Sequence, residues 1–334
     1  MPTEPTDLDW MGRAVDAARQ SRLIASPNPW VGCVVVNGAH VFSGNTQRPG
    51  GQHAERVALS AAGRDAAGAT LYTTLEPCSH YGRTGPCTDA IIEAGVSRVV
   101  VGVVDPDEQV AGTGVATLRA AGITVDIGVG EEQVTAQLRP YLHHRRTGRP
   151  WVILKLAATL DGRTAAPDGT SQWITGPEAR ADGHRLRAMS DAILVGAGTL
   201  RADNPSLDVR DFIPPDGLTL QEVSPRRFVL GAAPADARAQ PITELSGALP
   251  QVLDLLGEHG LLQVLVEGGA TVAHSLHAAG LVNEYVLYLA PALMGGEDGR
   301  GLFAGDGAAT MADLFRGTIT DVTRLGKDIR ITLV

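Results

Sequence analysis

The stretch ATLYTTLEPCSHYGRTGPCTDAIIEAG, residues 69–95, decides how the chain is read. ATLYTTL (69–75) is rich in β-branched and aromatic residues and reads as a strand, while GPCTDAIIEAG reads as a helix opening near Pro86. Between them, PCSHYGRTGPC (77–87) carries two of the chain's three cysteines, Cys78 and Cys87, with eight residues separating them. That gap is wider than a redox CxxC pair or a zinc hairpin with two to four intervening residues. Spacing alone leaves three readings open: a redox pair, inert core residues, or two ligands of a metal.

Working outward, the same strand and helix grammar continues on both sides. Upstream, residues 7–24 read as a helix with Leu8, Met11, Val15, Ala18 and Leu23 on its apolar side, and SPNPW (26–30) breaks it. VGCVVVNG (31–38) is a strand ending in an Asn-Gly turn, VFSGN is its hairpin partner, and HAERVALSAAG from His53 is a helix closed by Gly63. Downstream lie a buried strand, SRVVVGVVD (97–105), then a helix in GTGVATLRAAG and a strand in ITVDIG. Such alternation implies an α/β layered domain. Basic, polar YLHHRRTGRP (141–150) reads as a separator, which places two domains at 1–146 and 147–334. The second is α/β as well: strands in WVILKLAATLDG, DAILVGAG (191–198), RRFVLGAA, LLQVLVEGG (261–269) and VNEYVLYLAPALMGG, with helices over 177–188 and 271–279. A proline- and aspartate-rich loop region occupies 203–226, and KDIRITLV is expected as an edge or closing strand.

Composition narrows the classes. At 44% hydrophobic and 19% charged residues, the 334-residue chain has the make-up of an ordinary globular protein. A formal charge of −9 argues against non-specific binding to nucleic acid or an anionic membrane. No apolar run approaches a membrane span, and the acidic N-terminus lacks the apolar stretch of a signal peptide. Three cysteines make no disulfide framework, so a cytoplasmic protein with specialised cysteines is expected.

HAE (53–55) removes the ambiguity of the cysteines. At a helix entrance, His53 can point at a metal and Glu55 at the atom under attack. One nitrogen and two thiolates leave the fourth tetrahedral position for water, the arrangement of catalytic zinc. Glu55 can then move a proton from that water to a ring nitrogen and to departing ammonia. The zinc deaminase signature joins HxE to PCxxC; here the second cysteine comes later. Cys33, inside VGCVVV, reads as a packed core residue.

HAE, PCSHYGRTGPC and PNPWVG (27–32) together resemble the deaminase domain of the bifunctional riboflavin-biosynthesis deaminase/reductase family. The resemblance implies a three-layer α/β/α cytidine-deaminase-like domain with His53, Cys78 and Cys87 as zinc ligands and Glu55 as proton shuttle. It also implies that Asn28 contacts the pyrimidine, and that the long loop holds its phosphoribosyl part through His80, Arg83 and Thr84. Ser26, Gln52 and Gly85 depart from the family's usual residues, Gly85 standing where a second proline is common. None of these removes a ligand or the glutamate.

In the second half VGAGTLRADNP (195–205) contains GxG, but Arg201 occupies the place of a third glycine and Asp203-Asn204-Pro205 breaks the chain. A Rossmann dinucleotide fingerprint is therefore rejected. KLAATLDGRTA (155–165), SQWITG (171–176), residues 186–210 and LVEGGATVAHSL (265–276) instead resemble the reductase domain of the same family. That resemblance implies a dihydrofolate-reductase-like α/β fold using NADPH. It places Thr159, Asp161, Gly196, Thr199, Gly268 and Gly269 on the cofactor side. Lys155, Ser171, Trp173, Arg187, Asn204, Leu207 and Arg210 fall on the substrate side, Arg187 and Arg210 for its phosphate. Asp203 or Glu267 would orient sugar hydroxyls or transfer a proton.

The expected activity is two-step. Deamination of 2,5-diamino-6-ribosylamino-4(3H)-pyrimidinone 5′-phosphate gives 5-amino-6-ribosylaminouracil 5′-phosphate, and NADPH then reduces the ribosyl group to ribityl. Another nucleoside or nucleobase deaminase fused to a reductase-like module is the alternative. A nucleic-acid-editing protein is disfavoured by the acidic balance, and a structural zinc protein leaves Glu55 without a role. The resemblance also implies a homodimer through the reductase domains, with EYVLYLAPAL as an apolar interface strand.

Overall fold

In the computed structural model, which describes residues 5–81, 85–107, 110–215 and 217–334, Thr6 opens the first helix with a capping box. Its hydroxyl accepts from Asp9 N–H at 3.3 Å while the Asp9 carboxylate accepts from Thr6 N–H at 2.8 Å. This helix, α1 (Asp7–Arg19), ends before the expected residue 24, because the buried Ser21 gives its hydroxyl to Thr46 O at 2.7 Å and the chain turns there. The chain divides into two compact units, Met1–Gly148 and Arg149–Val334.

In the first unit, β1 (Gly32–Asn37) and β2 (His40–Asn45) form the hairpin, followed by α2 (Ala54–Ala62), β3 (Thr70–Leu75) and α3 (Cys87–Glu93). Then come β4 (Arg98–Val103), α4 (Thr113–Ala120), β5 (Thr124–Ile127) and α5 (Glu131–Thr147). The sheet order is β2-β1-β3-β4-β5, antiparallel up to β3 and parallel from β3 to β5. Two glycines reveal the layering. A Cβ on Gly32 would lie 1.8 Å from Ala14 O of α1, so that helix presses on one face. Cys33 points to the other face, as does its cross-strand partner Gly44, whose Cβ would lie 2.3 Å from Ala54 O of α2. Helices therefore cover both faces, giving three layers. Leu71, Val99, Val100 and Val101 are completely buried between them, each worth about 1.5–3 kcal/mol relative to an exposed side chain.

The separator expected at 141–150 is instead largely the last turns of α5, which runs to Thr147 and is closed by Gly148 in the left-handed conformation. Its basic residues His144, Arg145 and Arg146 fall in the last turn, where cations complement the helix dipole, while Val134, Leu138, Tyr141 and Leu142 are buried.

The second unit begins with β6 (Trp151–Thr159), β7 (Arg163–Ala165), α6 (Pro177–Ala188), β8 (Ala192–Gly196) and α7 (Ala197–Asp203). It continues with β9 (Arg226–Leu230), β10 (Thr243–Leu245), α8 (Leu249–Glu258), β11 (Gln263–Val266) and α9 (Ala270–Ala278). β12 (Glu284–Ala290), β13 (Arg300–Gly301), β14 (Ile319–Leu325) and β15 (Asp328–Leu333) complete it. The main sheet runs β10-β9-β8-β11-β6-β12-β15-β14, parallel as far as β12 and antiparallel beyond. KDIRITLV is thus an inner strand; the edge is β14, which folds back on it through a tight turn at Gly326. A short helix, α7, starts within the GxG, with Gly196 as its N-cap, and it stops after seven residues at Asn204, whose φ is 37°, just before Pro205. Among the described residues, no helix is long and apolar enough to cross a membrane.

Candidate active sites

In the first unit, functional side chains gather where the parallel strands β3 and β4 end, the edge at which α/β sheets bind ligands. His53 is the N-cap of α2, Cys78 follows β3 by three residues, and Cys87 is the first residue of α3. His53 Nδ1 lies 3.6 Å from Cys78 Sγ and 3.4 Å from Cys87 Sγ, and all three ligand atoms fall within 4.8 Å of one another. A tetrahedral zinc with Zn–S of about 2.3 Å and Zn–N of about 2.0–2.1 Å would separate sulfur from nitrogen by about 3.5 Å, so the donor set fits zinc. Cys78 is held down to about 4, first by its contact with the Cys87 thiol and then by His53, with the N–H of Cys87 donating to Cys78 Sγ at 3.4 Å. The Cys87 thiol is pushed up, first by Cys78 and then by burial. Cys78 and Cys87 would hold a cation as thiolates.

Glu55 is 4% exposed, and burial, with Cys78 nearby, pushes its carboxyl up to about 7 despite the opposing His53. That value suits a group that both takes and gives a proton near neutrality. A cavity of about 450 Å³ opens onto His53, Glu55 and Cys78 and is also lined by Asn28 and His80. Arg83 and Thr84 lie outside the described residues.

Several lining residues had not been singled out. Asp105 and Asp107 stand just beyond β4, with Tyr141 and Arg145 of α5. Tyr141 OH donates to Asp105 at 2.9 Å, and Arg145 pairs with Asp107 at 3.1 Å. Buried Glu76 accepts from the N–H groups of Asp105 (3.2 Å), Gly112 (3.0 Å) and Val115 (3.0 Å), fixing that wall. The sequence did hold a signal: a carboxylate directly after an apolar strand needs buried partners.

In the second unit a cavity of about 210 Å³ lies past the end of β11 and against the middle of β6, and collects Lys155, Ser171, Thr199, Asp203, Glu267, Gly268 and Gly269. Gly196 lies beside it, where a Cβ would meet Val272 of α9 at 2.8 Å, so its smallness serves helix packing. Thr159 and Asp161 are taken up by a turn: the Thr159 hydroxyl and the N–H groups of Met294 and Gly295 all donate to Asp161, which is held down to about 2, first by Thr159. Trp173 is exposed, with the Arg180 guanidinium 4.7 Å from its ring centre. Asn204 accepts from Arg238 N–H at 2.8 Å. Leu207 is 1% exposed and packs in the core. Arg210 is exposed, beside Ser206 and Asp208. Arg187 pairs with Glu267, which burial alone would raise but which Arg187, then Lys155, holds down to about 2.

Residues 4–103 match the family described as the cytidine and deoxycytidylate deaminase zinc-binding region, and residues 150–331 match the RibD C-terminal domain. The riboflavin biosynthesis protein RibD of Bacillus amyloliquefaciens is 38% identical over 97% of this chain and 95% of its own length. The chain belongs to the RibD family. Its Escherichia coli relative is 40% identical over 98% of this chain and 99% of that protein. The solved structure of Acinetobacter baumannii RibD, form 1, superposes with a TM-score of 0.92 at 38% identity over 98% of each chain. The Thermotoga maritima deaminase/reductase structure gives 0.85 at 31% identity, again over 98% of each chain. RibD proteins join a zinc-dependent deaminase to a reductase of riboflavin biosynthesis, and this chain is such a bifunctional enzyme, with Zn²⁺ and NADPH as cofactors.

Proposed function

We propose that residues 1–146 deaminate 2,5-diamino-6-ribosylamino-4(3H)-pyrimidinone 5′-phosphate and that residues 147–334 reduce the product's ribosyl group to ribityl. The observation that carries the reading is the placement of Glu55, buried with a raised carboxyl beside the His53, Cys78 and Cys87 donors. Those three side chains hold the zinc, which when bound supplies a water of lowered pKa. Glu55 would accept the first proton of the attacking water and deliver it to the ring nitrogen. It would then take the remaining hydroxyl proton from the tetrahedral carbon and pass it to the amino group, which leaves as ammonia while the carbonyl forms. Asn28 orients the pyrimidine, and His80, Arg83 and Thr84 take the phosphoribosyl part.

In the second cavity Gly268, Gly269 and Thr199 approach the cofactor; NADPH supplies a hydride for the anomeric carbon. The open N–H groups at the start of α9, which has no side-chain cap, suit its phosphates. Gly196, Thr159 and Asp161 support that surface from outside the cavity. Lys155, Ser171 and Asp203 face the sugar, with Trp173, Asn204, Leu207 and Arg210 on its approach. The enzyme works on small phosphoribosyl pyrimidines in the cytoplasm, as a homodimer joined through its reductase domains. The expected interface strand EYVLYLAPAL is instead β12, an inner strand between β6 and β15 with Tyr285, Val286 and Tyr288 buried, so it is not free to pair. Exposed Ile319 and Val322 on the edge strand β14, with Phe315 beside them in sequence, favour the pairing.

Glu55→Gln tests the assignment. The variant should retain one zinc per chain and lose ammonia release by at least about 10²-fold, the usual scale of a general acid–base group. Turnover preserved within a few-fold would remove the proton-shuttle role.

A further inference from the structure

Asp161 and Arg163, at the turn into β7, hold one segment of the second unit along its length. The Asp161 carboxylate accepts from the N–H groups of Met294 at 3.0 Å and Gly295 at 2.7 Å, where the segment begins. The Arg163 guanidinium donates to Gly296 O at 2.8 Å and to Gly299 O at 3.0 Å, farther along it. Thr164 Oγ1 donates to Arg300 O and Gly301 O, both at 3.3 Å, where β13 pairs with β7. A Cβ on Gly299 would lie 2.7 Å from Met294 Sδ, so the segment also folds tightly on itself. What this construction presents is Arg300, which lines the second cavity. Leu302, two residues on, lines it too and packs on the core that includes Ala273 and Leu276 of α9. The next bond in line runs from Ala304 N–H to Ala270 O, the first residue of α9, at 3.0 Å.

Among the described residues two cations stand on the cavity wall, Lys155 and Arg300. Lys155 Nζ is 3.7 Å from Glu267 Oε2. Arg300 is exposed, and among the described residues no carboxylate, carbonyl or ring is set against its guanidinium. An arginine carried to a cavity by a fixed segment and left without an anion suits phosphate oxygens, to which its planar fork can donate twice. Resting on the reading of this cavity as the reductase site, we propose that Arg300 binds a phosphate of the dinucleotide cofactor, and that Arg163 is a positioning residue acting through it. The course of the segment toward α9 places this cation on the side where Gly268 and Gly269 approach the cofactor.

The test titrates the full chain calorimetrically with NADP⁺ and with ribose 5-phosphate. Wild type is compared with Arg300→Gln, Arg300→Lys, Arg163→Gln and the Arg163→Gln/Arg300→Gln double variant. Arg300→Gln should weaken NADP⁺ roughly tenfold, the low end for a charge-assisted hydrogen bond because the group is exposed. Its affinity for ribose 5-phosphate should stay unchanged, and Arg300→Lys should recover part of the loss. Arg163→Gln should weaken NADP⁺ by a smaller factor. In the Arg300→Gln background it should cost almost nothing further, because both act on one interaction. Arg163→Lys, which can keep one of the two carbonyl bonds, takes its place if the glutamine variant fails to fold. Unchanged NADP⁺ affinity in Arg300→Gln, a loss confined to ribose 5-phosphate, or independent losses in the double variant would overturn the proposal. A wild type that binds no NADP⁺ would refute the reductase reading itself. Titration with inorganic pyrophosphate then still decides whether Arg300 holds phosphate: weaker binding in Arg300→Gln supports it, and equal affinity overturns it.

Discussion

Arg56, one residue beyond Glu55 on α2, reaches across to the loop between the zinc cysteines. Its Nε donates to Gly85 O at 3.2 Å and its Nη2 to Pro86 O at 3.0 Å, the two carbonyls immediately before Cys87. A Cβ on Gly85 would sit 3.1 Å from Nη2, so the glycine that stands where the family commonly has proline gives the guanidinium room. Hydrogen bonds from a charged donor contribute about 1.5–3 kcal/mol each when well shielded. This pair is only half-buried, which reduces the two together to about 2–3 kcal/mol. Arg56→Ala frees the limb that carries Cys87, and at about 1.4 kcal/mol per decade the loss corresponds to zinc binding weaker by roughly 30- to 140-fold. Losing an outer-shell partner of a metal ligand costs about 10- to 100-fold in general. Competition for zinc against a chromophoric chelator measures the affinity, and Arg56→Lys, keeping one bond, should fall between parent and alanine variant. Zinc affinity of Arg56→Ala within about threefold of the parent would refute the reasoning, since even one lost bond of this kind exceeds that.

Two further outcomes follow from buried polar groups. His184 Nδ1 accepts from Arg210 N–H at 3.2 Å, and burial, then Arg187 and Arg210, lower the imidazole's affinity for a proton below its ordinary 6.5. A lowered folded-state value means its stabilising contribution is complete above 6.5 and is lost as pH falls through the folded value. Urea midpoints should therefore fall more from pH 8 to pH 5 in wild type than in His184→Gln; parallel pH profiles would contradict this. Glu76→Ala leaves three backbone N–H groups without their acceptor, and at about 1–3 kcal/mol per buried orphan it should cost at least about 3 kcal/mol. Denaturant melts read this, with Glu76→Gln, which keeps one acceptor oxygen, losing less.

What the sequence made legible was chemistry confined to element ends. His53, Cys78 and Cys87 sit at a helix cap, past a strand and at a helix start, places the local pattern already marked, so their convergence followed once the α/β layering was recognised. Most strands and helices were legible for the same reason, each declaring itself by its own period and punctuation. Partnerships across long separations were hidden. Glu76 finds its donors 29 to 39 residues away, and Arg187 finds Glu267 at a separation of 80, so neither was visible in a local window. The tail of α5 looked like a linker because its exposed basic residues outweigh, by eye, the four buried apolar ones and Gly148 that make it a helix. KDIRITLV looked terminal in the sheet because its outer neighbour, β14, is mostly exposed and carries little apolar pattern.

The central claim is two linked reactions in one chain. The most direct measurement incubates the zinc-loaded protein with 2,5-diamino-6-ribosylamino-4(3H)-pyrimidinone 5′-phosphate, with and without NADPH, following ammonia and absorbance at 340 nm together. Ammonia is expected in both cases and, with NADPH present, oxidation of one NADPH for each ammonia released. Absence of ammonia from a chain holding zinc, or ammonia without any NADPH oxidation, would contradict it.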